Sequence, residues 1–163
     1  MINFIYFLLS IPQPIEFRQL NWEDFKMMPP KSTWAATTST NIELTEEKKD
    51  GKYSYTVKCY FVPGESWTTT SDSAKLVHEN YHFQISYLYY LKTVNAILPY
   101  QGTSKRKEAM KAYQKLCRQW QATERLFDIR TNHSLDVSME RIWERSIDKQ
   151  LKELPEKFKV HIV

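Results

Sequence analysis

The chain has 163 residues, 42% of them hydrophobic, which is enough for one domain with a genuine core. It carries a net charge of +4 and only three glycines, and contains neither GxGxxG nor GxxxxGK[ST], so a glycine-rich phosphate loop is excluded. With 14% aromatic residues and no long Gly/Ser or Pro run, it is not a disordered chain.

Met1 to Ser10 reads MINFIYFLLS. This run is too short to cross a bilayer. It is read either as a weak secretion signal or as an apolar strand or anchor packed on the domain. It lacks a basic start and a clear small-residue cleavage site. Residues 1–15 are therefore set apart as an apolar segment, and residues 16–163 form a single domain.

Pro12, Pro14, Pro29 and Pro30 keep the next stretch free of long regular structure. Trp34 to Leu44 is rich in Thr and Ser and reads as extended. Asp50-Gly51 is a hairpin turn signal. Tyr53 to Phe61 alternates, with Tyr53, Tyr55, Val57, Cys59 and Phe61 on one face, and predicts a half-buried strand. Together the two stretches predict an antiparallel hairpin or small sheet, ended by Pro63-Gly64.

From about Ser73 the pattern turns helical. The first helix is predicted over 73–98, with Ser71 or Asp72 as N-cap and Pro99 and Gly102 beyond its end. The second is predicted over 105–126. Its core stripe is Met110, Tyr113, Leu116, Trp120 and Phe127. Residues 127–133 read as a loop. A third helix is predicted over 135–151, capped by Ser134 or Asp136 and stopped before Pro155. Strands first and helices after predict an α+β fold.

Lys105, Arg106, Lys107, Lys111, Lys115 and Arg118 fall on the polar side of the second helix and read as solvated charge, so no nucleic-acid partner is expected. No transmembrane span is expected either. Cys59 and Cys117 match no metal or redox motif. They read as two buried free thiols, with a single disulfide as the alternative in an oxidising compartment.

His78-Glu79-Asn80-Tyr81-His82 is an HExxH sequence inside the first helix. Residues i and i+4 share a helix face, so the two imidazoles can hold one zinc ion. Glu79 at i+1 can reach a zinc-bound water and act as its general base. For this composition chance supplies roughly 0.008 such matches. The bland alternative is two surface histidines beside a salt-bridging Glu. A catalytic zinc needs a third protein ligand and an open position. Of the four histidines, His161 lies among the last three residues, leaving His133 as the expected third ligand, with the carboxylate of Asp128 as the alternative.

Around these residues the chain resembles a family of bacterial proteins of unknown function, DUF922, grouped with zincin-like metallopeptidases. Leu76-Val77-His78-Glu79-Asn80-Tyr81-His82-Phe83-Gln84-Ile85 resembles the family's HEQxHFDI motif. Phe127-Asp128-Ile129-Arg130-Thr131-Asn132-His133, followed by Trp143, resembles its YDxxTxHG…W motif. Softer likenesses are Leu20 to Phe25 before Pro29, Ala35 to Ser39, and Ser66-Trp67; together they cover residues 16–150. The resemblance implies a zincin-like fold in which a small antiparallel N-terminal sheet packs on a C-terminal helical bundle carrying the HExxH helix. It implies an exported, periplasmic or extracellular protein with a peptide or protein substrate. It also implies one zinc per chain on His78, His82 and His133, with Glu79 as the catalytic base. By analogy with zincins, Tyr53 to Phe61 is the expected substrate-pairing strand along the cleft. The chain departs from the family pattern at Asn80, Gln84, Tyr87, Leu91 and Ser134, where the family carries Gln, Asp, an acidic residue, Arg and Gly. The departures at Tyr87, Leu91 and Ser134 motivate a second reading, a non-catalytic zinc-binding module of the cell envelope.

Overall fold

The computed structural model describes residues 15–154; the apolar start of the chain, Pro155 and His161 lie outside them. The architecture is α+β: a small antiparallel sheet and a two-stranded ribbon, followed by three helices.

The hairpin forms at the predicted turn and second strand, but its first strand runs over 40–49 rather than 34–44. β3 (Thr40–Lys49) and β4 (Lys52–Phe61) pair over their whole length, from Thr40 opposite Phe61 to Lys49 opposite Lys52. Asp50 and Gly51 make the turn with φ of 51° and 76°, the left-handed pair that a two-residue hairpin requires. β1 (Ile15–Glu16) pairs with the end of β4, giving the order β1-β4-β3. β4 is thus the central strand. Tyr55 and Phe61 are buried on its inner face, while Ser54, Thr56 and Lys58 are exposed. A second ribbon pairs β2 (Ala36–Thr37) with β5 (Trp67–Thr68).

α1 (Ser73–Ile97) starts at Asp72, whose carboxylate accepts from the Ala74 N–H at 2.8 Å. A 3-10 turn containing Pro99 ends it. Phe83, Ile85, Leu88 and Leu91 are almost fully buried, so α1 is the central element, between the sheet and the other helices. α2 (Arg106–Thr131) and α3 (Val137–Glu153) pack against it. Asp136 caps α3 by accepting from the N–H groups of Ser138 and Met139.

α2 is longer than the sequence predicts. Residues 127–131, expected as loop, are its last turn. Phe127 continues the stripe set by Trp120 and is fully buried against Ile85 and Ile147. The helix stops only where Asn132 turns left-handed, φ 49° and ψ 47°. His133 and Ser134 follow with φ of 50° and 68°, a run of three non-glycine residues in a region that costs L-residues energy.

The basic residues at 105, 106, 107, 111, 115 and 118 are all exposed, and Arg106 pairs with Glu46 at 2.7 Å. Cys59 and Cys117 are free and half-buried. Among the described residues no helix is long and apolar enough to cross a membrane.

Candidate metal centre

Lys75, His78, Glu79 and His82 stand at i, i+3, i+4 and i+7 of α1, which puts them on one face. They line a cavity of about 680 Å³. The opposite wall comes from Thr33 to Thr38 and from the end of α2 and its connection, Asp128 and Asn132 to Leu135.

Three donor atoms converge there. The Nε2 atoms of His78 and His82 are 3.3 Å apart. Asp128 Oδ1 lies 3.2 Å from the first and 3.1 Å from the second. For bonds of about 2.05 Å the edge of a tetrahedron is about 3.3 Å, so these spacings match three donors sharing one ion. The three residues form the one group of this kind among the described residues.

The far side of each ring is held in place. His78 Nδ1 meets Glu140 Oε1 at 2.5 Å, and His82 Nδ1 meets Glu124 Oε2. A carboxylate at Nδ1 fixes that nitrogen as the N–H, leaving the Nε2 lone pair to face inward. Glu124 is itself anchored, since its Oε1 accepts from Trp120 Nε1 at 2.8 Å and from the Ser86 hydroxyl at 3.0 Å. Phe127 stacks on the His78 ring at 4.6 Å and meets the His82 ring edge-on at 5.1 Å.

Two inward lone pairs and a carboxylate oxygen repel unless protons or a cation sit between them. The electrostatics of the three groups express the same need. Burial opposes charge on His78 most strongly, yet its bonds to Asp128 and Glu140 outweigh that and raise its pKa above the ordinary value. His82 is raised well above it, with Glu124 and Asp128 overcoming burial. Burial would raise the Asp128 carboxyl, but its bonds to His78 and His82 hold it below the usual carboxylate range. A donor set of this chemistry fits a divalent cation, which replaces those protons on binding.

No family model, no curated protein and no solved structure matches this chain.

The functional reading therefore rests on the site itself. Glu79 is buried beside the donors; among the described residues its Oε2 has no hydrogen-bond partner, and its charge helps to raise His82. His133 stands next to the cluster: its Nδ1 is 3.4 Å from Asp128 Oδ1, and Trp34 lies over its ring at 3.7 Å between centroids. The structure thus joins His78, His82 and Asp128 directly and adds His133 through Asp128.

Two features escape the sequence reading. Glu124 and Glu140 orient the histidines from 42 and 62 residues away. The one local signal was the position of Glu124, four residues before Asp128 on the same helix face. The cleft strand also differs from expectation. β4 is paired with β3 along its length and with β1 at its end, and the wall facing the three donors is Thr33 to Thr38, containing β2 of the small ribbon. The Thr38 hydroxyl reaches the Glu79 carbonyl at 3.4 Å, which ties that wall to α1.

Proposed function

We propose that the chain is a zinc-dependent metallopeptidase of zincin type, with His78, His82 and Asp128 as metal ligands and Glu79 as general base. The observation that supports it most is the mutual spacing of 3.1–3.3 Å among the two Nε2 atoms and Asp128 Oδ1, each ring being fixed from behind by a carboxylate. When bound, zinc supplies a water of pKa about 7 and polarises the substrate carbonyl.

The chain's own residues supply the remainder. Glu79 has a buried carboxylate oxygen in the cavity wall with no hydrogen-bond partner among the described residues, suited to take the proton from the attacking water and pass it to the leaving amine. Glu124 and Glu140 hold both imidazoles in the tautomer that faces the metal. Among the described residues β2 pairs on one side only, with β5, and lines the cavity; an extended peptide can lie along such an edge by main-chain hydrogen bonds. An exported location and a peptide or protein substrate belong to this proposal.

A second reading has one specific observation in its favour. His133 Nδ1 is already 3.4 Å from Asp128 Oδ1. Were His133 to complete a four-ligand set, the site would be closed, as structural zinc sites are, and the chain would be a non-catalytic zinc-binding module. Zinc content and peptide hydrolysis, measured on wild type and Glu79→Gln, separate the two. The peptidase predicts one zinc per chain in both proteins and hydrolysis only in wild type. Equal zinc with no hydrolysis of a broad peptide library by wild type favours the closed module. Absence of bound zinc in wild type, purified without chelators and then titrated, rejects both.

A further inference from the structure

The cavity that holds the acidic and imidazole donors also holds one cation that none of the foregoing uses. Lys75 lies one turn before His78 and Glu79 on the same face of α1 and is half-buried in the cavity wall. Its Nζ bonds the Ser134 hydroxyl at 3.0 Å. Among the described residues it forms no ion pair, although Glu79 and Asp128 line the same cavity. An ammonium in a confined wall, satisfied by one neutral hydroxyl, keeps donors free for an anion. Ser134 is itself held at φ 68°, within the left-handed run that follows α2. That conformation fixes the hydroxyl opposite Lys75 and marks a stretch where strain is stored beside the site.

We infer that Lys75, with Ser134, forms an anion subsite that selects ligands bearing a carboxylate beside the metal-bound group. The inference rests on the metal centre proposed above and names its substrate class: peptides with a free carboxylate next to the bond positioned at the metal. That carboxylate is either the α-carboxylate of a C-terminal residue or an acidic side chain. The ammonium would donate a charge-assisted hydrogen bond to it, while the Ser134 hydroxyl, which now accepts from Lys75, donates a second.

The test uses binding rather than turnover. The full chain is loaded with cobalt(II), whose visible spectrum reports ligand exchange, and titrated with three hydroxamates. One is acetohydroxamate, which has no carboxylate. The second carries a free C-terminal carboxylate, and the third an amidated C-terminus with a Glu side chain. The quantity read is the affinity ratio of each acidic probe to acetohydroxamate within each variant, so that a general weakening cancels. Wild type is expected to favour at least one acidic probe by roughly tenfold, the worth of one charge-assisted bond. Which of the two it favours identifies the source of the carboxylate. Lys75→Met is expected to bring that ratio to near one, and Lys75→Arg to keep most of it; thermal melts of both variants confirm that they fold. Equal affinities in wild type, or a preference that survives Lys75→Met, overturn the inference while leaving the metal centre standing. Failure of the chain to bind cobalt or zinc overturns both.

Discussion

Glu140 offers a test of whether the buried carboxylates serve the metal or merely the fold. Its Oε1 is 2.5 Å from His78 Nδ1, and both side chains are nearly removed from solvent. Glu140→Gln keeps the shape but removes the charge that makes the imidazole a strong ligand. Loss of such a partner typically weakens metal binding about 10- to 100-fold. This corresponds to about 1.4–2.7 kcal/mol of binding free energy. With zinc in excess, stabilisation of the fold follows the logarithm of affinity, so the variant loses that amount of zinc-induced stability. For a chain of this size about 2–4 °C of melting temperature corresponds to each kcal/mol, giving a deficit of about 3–11 °C. The assay is thermal unfolding of wild type and variant, each with and without zinc. Only the zinc-induced rise is compared, which removes any effect on the apo protein. A rise as large in the variant as in wild type would refute the reasoning, and Glu140–His78 would then be a structural pair.

Three more outcomes are expected. Asp128→Asn removes a donor charge and should abolish stoichiometric zinc retention against a chelator, whereas His133→Ala should retain one zinc per chain; metal analysis after dialysis distinguishes them, and the reverse pattern makes His133 the third ligand. The zinc-induced rise in melting temperature should grow between pH 6 and pH 8. In the apo protein His78 and His82 have folded pKa values above the unfolded one, so their contribution is fully present below about 6.5 and fades as pH rises through the folded values. Zinc needs both rings neutral, so its gain runs the other way; a rise independent of pH contradicts the ligand assignment. Finally, Phe127→Ala should cost about 3–5 kcal/mol in urea unfolding, because its ring is fully buried against Ile85 and Ile147 and backs both histidines. A loss under about 1 kcal/mol would mean that the pocket collapses around the missing ring.

The parts of this molecule that were legible in the sequence are those set by near neighbours in the chain. The β4 face, the Asp50-Gly51 turn, the helix starts at Ser71 or Asp72 and at Ser134 or Asp136, and the His78/His82 pair each follow from spacings of one to four residues; the structure decides for Asp72 and Asp136. The end of α2 was misread because Asp128, Arg130 and Thr131 look like loop residues by type. Their spacing from Trp120 and Glu124 nevertheless continues the helix, and burial of Phe127 decides the matter. Glu124 and Glu140 resembled ordinary solvated helix charges. Nothing local distinguishes a carboxylate that meets solvent from one that meets a histidine on another helix, and only the packing of α2 and α3 on α1 reveals it. The cleft wall was misplaced for a related reason. Residues 33–38 are mostly outside regular structure, and their position follows from the pairing of β2 with β5 thirty residues later rather than from any pattern of their own.

The most direct test of the metal centre is a zinc-soaked crystal with diffraction data recorded at the zinc absorption edge. The account predicts one anomalous peak per chain, about 2 Å from His78 Nε2, His82 Nε2 and Asp128 Oδ1, with Glu79 alongside. No peak between these atoms, or zinc held elsewhere on the chain, would contradict it.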